Sequence, residues 1–198
     1  GEGNTINQTG NIDTANGSAN GVYMRYMNSN TINITGNVTT LQNFAVGFAI
    51  EISDSNTINV TGNITTAGTS AHGITVDAWI GRGGSDSNTI NVTGNITTTG
   101  NNAAGLGITA SDSNNITING DITTSSTGGS GEPIRFTNSD SNTITLSGAA
   151  HSLGGDQAIS VDADSQSNTF IFKQGASFIG GLENNGGTTN KLIFDMGK

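Results

Sequence analysis

Apolar and polar residues alternate along this chain in short stretches, and the stretches recur at a regular distance. In Asn56-Thr-Ile-Asn-Val-Thr-Gly-Asn-Ile-Thr-Thr66, Ile58 and Val60 point one way while Thr57 and Asn59 point the other. The same phrase recurs from Asn88 to Thr98. Such a period of two predicts a strand with one buried face. Gly62 and Asn63 both tolerate positive φ and predict a turn, with a second strand around Ile64. After a variable polar loop a third alternation follows, as in Val46, Phe48, Ile50 and Ile52.

The tripeptide Asn-Thr-Ile marks each repeat. It begins at Asn4, Asn30, Asn56, Asn88 and Asn142, with variants at Asn114, Asn168 and Asn190. Successive offsets are 26, 26, 32, 26, 28, 26 and 22 residues: a period of 26, with six extra residues in one repeat and two in another. Aligned on the marker, Ile6, Ile32, Ile58, Ile90, Ile116, Ile144 and Phe170 share one position. Ile34, Val60, Val92, Ile118, Leu146 and Phe172 share a second, and Met24, Ile50, Ile108 and Phe136 a third. One such coil cannot bury its apolar face alone, but stacked coils bury a continuous core. The prediction is therefore an all-β chain, a single parallel β-helix (β-solenoid) domain over 1–198. It would have three short strands per coil, about 26 residues per coil and about 7–8 coils, with a rod length of roughly 38 Å. Crossover chirality favours a right-handed winding.

Composition narrows the function. The net charge is −9 with only six Lys and Arg, against nucleic acid and anionic lipid, both of which need clustered cations. No apolar run approaches the roughly 18 residues of a membrane span, so no membrane insertion by this segment is expected. No export signal is visible, which suggests a mature form or a fragment. Cys is absent, removing disulfides and thiolate metal sites.

The C-terminal phrases Asn142-Thr-Ile-Thr-Leu-Ser-Gly, Gly155-Asp-Gln-Ala-Ile-Ser-Val-Asp162, Gly180-Gly-Leu-Glu-Asn-Asn-Gly-Gly187 and Asn190-Lys-Leu-Ile-Phe-Asp195 resemble successive coils of bacterial autotransporter passenger domains. The resemblance extends over essentially the whole chain. It implies a right-handed parallel β-helix exported to the extracellular space or the bacterial outer surface. Its implied role is an adhesin or structural rod that binds itself, a glycan or a host protein. The membrane barrel and signal sequence of that family are not in this sequence.

Several side chains are candidates for more than scaffolding. The marker asparagines, Asn30, Asn56, Asn88, Asn114, Asn142 and Asn168, predict a stacked amide ladder, a structural device. Before four of the markers a Ser-Asp-Ser turn stacks Asp54, Asp86, Asp112 and Asp140 in one column. Carboxylates that close repel unless screened, so a cation column is one reading, and calcium suits oxygen ligands. The other is that these residues make solvated Asx-type turns. No further cofactor is expected. The six-residue insertion carries Trp79 and Arg82, anchor types in a loop that leaves the scaffold, and hence a candidate binding loop or a cover for the core.

Thr5/Asn7, Thr31/Asn33, Thr57/Asn59, Thr89/Asn91, Asn115/Thr117 and Thr143/Thr145 form two outward ranks. These suggest an ice-binding face, although Thr is also simply the favoured polar strand residue. Arg25 and Glu51 fall one period apart as an exposed ion pair. Tyr23, Ala49, Gly107 and Arg135 share an outward column with no evident chemistry. His72 and His151 are expected in loops. Asp77, Asp162 and Asp164 are outward carboxylates too scattered for a glycosidase pair, so no enzyme is expected. An apolar final strand, Leu192-Ile-Phe194, leaves a filament subunit stacked head to tail as an alternative.

Overall fold

Each winding of the chain lays down three strands, and each strand pairs in parallel with its equivalent one coil away. The second winding has Thr31–Thr35, Val38–Thr40 and Phe48–Glu51. In the computed structural model, which describes residues 1–78, 83–126, 131–154, 156–186, 189–195 and 197, three parallel sheets of eight, seven and seven strands result. Among the described residues every regular element is a strand. The chain is thus a β-solenoid of about seven turns, and no helix is long and apolar enough to cross a membrane.

Register follows the markers. Thr31 pairs with Thr57 and Thr57 with Thr89, so the offsets of 26 and 32 bring equivalent residues together. The six additional residues lie between the third strand Ile74–Asp77 and the first strand Thr89–Thr93. The two additional residues lie between Ile122–Thr124 and Ile134–Thr137. Both insertions fall between strands, and the sheets keep their register on either side.

The core is a set of stacked aliphatic columns. Ile58, Ile90 and Ile116 of the first sheet, Ile64, Ile96 and Ile122 of the second, and Ile74, Leu106 and Ile134 of the third are all at most 1 % exposed. Toward the C-terminus aromatic rings widen the columns, with Phe136 and Phe170 in edge contact at 5.2 Å. The third strand is shorter than the alternation suggests. Ile52 lies outside the strand at φ 47°, a left-handed turn conformation that ends it. The first turn needs glycine. Gly94 sits at φ 142°, and a Cβ there would meet the Gly62 carbonyl oxygen of the preceding coil at 2.2 Å.

One corner carries a buried polar spine. From Asn4 to Asn190, each marker backbone N–H donates to the amide oxygen of the next marker at 2.8–3.0 Å. The Nδ2 groups of Asn4 through Asn142 also donate to that oxygen, at 3.0–3.3 Å. Asn30, Asn56, Asn88, Asn114, Asn142 and Asn168 are at most 1 % exposed. Beside them the first Ser of each Ser-Asp-Ser turn forms a second buried ladder. Ser53, Ser85 and Ser111 donate their backbone N–H groups to the next serine hydroxyl at 3.0–3.3 Å. Buried polar groups are tolerated only when paired, and here the repeat supplies the partner.

Candidate functional site

The outward face of the third sheet is where the repeat stops being uniform. One outward column runs Tyr23, Ala49, Thr75, Gly107, Arg135 and Ser160. Two residues on, a second column runs Arg25, Glu51, Asp77, Thr109 and Thr137. Large side chains at the ends and small ones in the middle leave a recess of about 420 Å³. It is lined by Glu51, His72, Thr75, Asp77, Ala78, Gly107, Thr109 and Arg135.

The polar groups there are arranged rather than scattered. Tyr23 donates its hydroxyl to Glu51 Oε2 at 2.7 Å, and Arg25 Nε stands 3.6 Å from the same oxygen. Burial pushes the Asp77 carboxyl up to about 6, with the Glu51 charge acting in the same direction. Hydrogen bonds from Thr109 and Thr75, and the charge of Arg135, only partly oppose this. His72 accepts the Ala104 backbone N–H at Nδ1, 2.8 Å, which leaves its own proton on Nε2. Burial, helped by the Arg135 charge, lowers His72 to about 4, so the ring is neutral at pH 7. The recess therefore offers two carboxylates, two hydroxyls, a guanidinium and a neutral imidazole within a few coils.

This arrangement corrects the sequence reading in three places. Asp77 is not isolated: its strand pairs in register with that of Glu51, Cα partner to Cα partner. Of the column of Tyr23, Ala49, Gly107 and Arg135, the last two line the recess together with Thr75. His151 lies on the strand Ala149–Ser152 rather than in a loop. The first two were hidden for one reason. Glu51 stands five residues before its marker, whereas the insertion places Asp77 eleven before Asn88. The alternation of the third strands themselves carries both signals.

The remaining candidates have other surroundings. Trp79 and Arg82 lie outside the described residues. The Asp column is tied to the backbone: the N–H groups of Asp86, Asp112, Asp140 and Gln166 donate to the Oδ1 atoms of Asp54, Asp86, Asp112 and Asp140 at 2.6–2.9 Å. Burial raises the Asp86 carboxyl, with Asp112 and Asp54 adding repulsion against the backbone hydrogen bond. Among the described residues no group of three or more His, Cys, Asp or Glu is placed to hold a metal ion. Asp162 caps locally, accepting from the Asn138 N–H and the Ser165 hydroxyl. On the first sheet's outer face, Asn33, Asn59 and Asn91 donate their amides to the preceding Asn at 2.8–2.9 Å, a second amide ladder.

Fold and recess together define a three-sheet parallel β-solenoid with a polar recess in one face. Comparison with protein-family models, with curated proteins and with solved structures gives no match.

Proposed function

We propose that this chain is part of an exported, surface-exposed β-solenoid rod with an adhesive role, of the kind that autotransporter passengers fulfil. The observation that carries the reading is the contrast between the rod's faces. The outer face of the first six strands of the first sheet repeats short uncharged Thr and Asn, while the outer face of the third sheet carries Arg25, Glu51, Asp77 and Arg135 around a recess. A rigid scaffold with local variation on one face suits attachment, since binding residues are commonly held by a regular frame. Binding without turnover fits better than catalysis. Glu51 is held by Tyr23 and Arg25, and Asp77 by two threonine hydroxyls, so both carboxylates are fixed in place as acceptors, as a binding surface requires. Beads coated with the chain should attach to cell layers or to one another more strongly than albumin-coated beads. Beads that neither attach nor cluster would sink the adhesive reading.

A further inference from the structure

We infer that the recess on the third sheet is a saccharide-binding site with Gly107 as its floor; this rests on the adhesive reading above and names the ligand class. Gly107 lies within the strand Leu106–Thr109, where glycine weakens pairing. Its φ is not left-handed, and a Cβ placed there meets nothing within 4 Å. Neither backbone conformation nor packing therefore requires a glycine. What the missing side chain provides is depth between Thr75 and Arg135, its register partners. Glycine within a strand often marks the close approach of a ligand, and about 420 Å³ is in the size range of small-ligand sites.

The lining selects the chemistry. Glu51 and Asp77 would repel phosphate or sulfate, and Arg135 opposes a polycation. An extended peptide gains affinity by pairing with a sheet edge. This is a sheet face, whose backbone groups are already used between coils. Carboxylates and threonine hydroxyl oxygens that accept, and a guanidinium and an imidazole Nε2–H that donate, match the vicinal hydroxyls of a sugar. The coil rise of about 4.8 Å is close to the length one pyranose ring adds to an extended chain. Successive rings along the groove would thus meet successive coils. The half-exposed Tyr23 ring stands at one end as a surface for stacking.

The test titrates the full chain with cellohexaose and mannohexaose, and with a galacturonate hexamer as the acidic comparison, by calorimetry in EDTA and in calcium. The expected result is binding of a neutral hexamer at millimolar Kd or tighter, in either buffer, without release of reducing ends. Gly107→Ile should weaken it at least about tenfold (about 1.4 kcal/mol) without lowering the thermal midpoint, because a Cβ at this position meets nothing within 4 Å and a β-branched residue suits a strand. Asp77→Asn should weaken it without filling the groove. No neutral hexamer bound, equal affinity in Gly107→Ile, preference for the acidic hexamer, or binding only with calcium would each overturn the site. Beads separate this from the parent reading. Attachment by wild-type and Gly107→Ile beads alike, without hexamer binding, overturns the site and leaves adhesion standing. Hexamer binding without bead attachment does the reverse.

Discussion

At the scale of single residues, Asp77 is the group whose environment departs furthest from what its place in the repeat would suggest. Glu51, Arg135, His72, Thr75 and Thr109 face it. Its carboxyl is raised in the folded chain from 3.8 to about 6. A raised carboxyl favours the fold while protonated, and that advantage is lost as pH climbs from about 4 through about 6. Two pH units correspond to about 3 kcal/mol, and water in the open groove reduces this to about 1–2 kcal/mol. His72, lowered to about 4, works in the opposite sense, favouring the fold above pH 6.5 and losing that as pH falls toward 4. The wild-type profile therefore partly cancels, and a variant is needed to separate the two. Asp77→Asn should raise stability to urea by about 1–2 kcal/mol at pH 8 and leave it nearly unchanged at pH 3.5. An equal effect at both values would show that ionisation is not the cause.

At the scale of elements, the stacked corners hold the coils in register. Asn88 accepts from the Asn56 backbone N–H at 2.9 Å and from Asn56 Nδ2 at 3.0 Å. It donates to the Ser53 carbonyl at 2.8 Å and to Asn114 Oδ1 at 3.2 Å. Asn88→Ala strands buried partners on both neighbouring coils, each costing about 1–3 kcal/mol, so a loss of about 3–4 kcal/mol is expected. Asn91→Ala removes one amide bond on the outer face and should cost under about 1 kcal/mol by the same urea measurement. The aspartate turn beside this spine uses its Oδ1 atoms on backbone N–H groups. EDTA should accordingly leave the thermal midpoint within about 1 °C of its value in millimolar calcium. A rise of several degrees with calcium would restore the cation column.

These elements also show what the sequence made legible. The isoleucine columns and the asparagine spine could be read because their spacing from the marker is constant. Position in the buried serine ladder was equally regular, but the Ser-Asp-Ser phrase drew attention to its charged member. The recess was obscured because the insertion shifts Thr75, Val76 and Asp77 relative to Asn88, so their column looked empty at that coil. Ile52 continues the apolar alternation of the third strand, yet its left-handed backbone at φ 47° turns the chain away after Glu51.

At the scale of the whole molecule, every coil contacts only its neighbours, so stability is a sum of coil terms and interface terms rather than one indivisible quantity. The core has no centre: Ile64, Ile96 and Ile122 are all buried to the same degree in consecutive coils. The polar ladders, by contrast, cross the interfaces between successive markers and oppose independent opening. Ile96→Ala sets these two tendencies against each other. It opens a cavity worth about 2–5 kcal/mol in a middle coil without touching a ladder. With nearest-neighbour coupling, amide exchange should accelerate in Ile64–Thr66, Ile96–Thr98 and Ile122–Thr124, the paired strands. Thr169–Lys173, three coils from the change, should keep its protection. Peptide-resolved hydrogen exchange under native conditions distinguishes the cases. Uniform acceleration along the chain would mean that the asparagine and serine spines couple the coils into one cooperative unit. The rod would then open all at once instead of locally around a weakened coil.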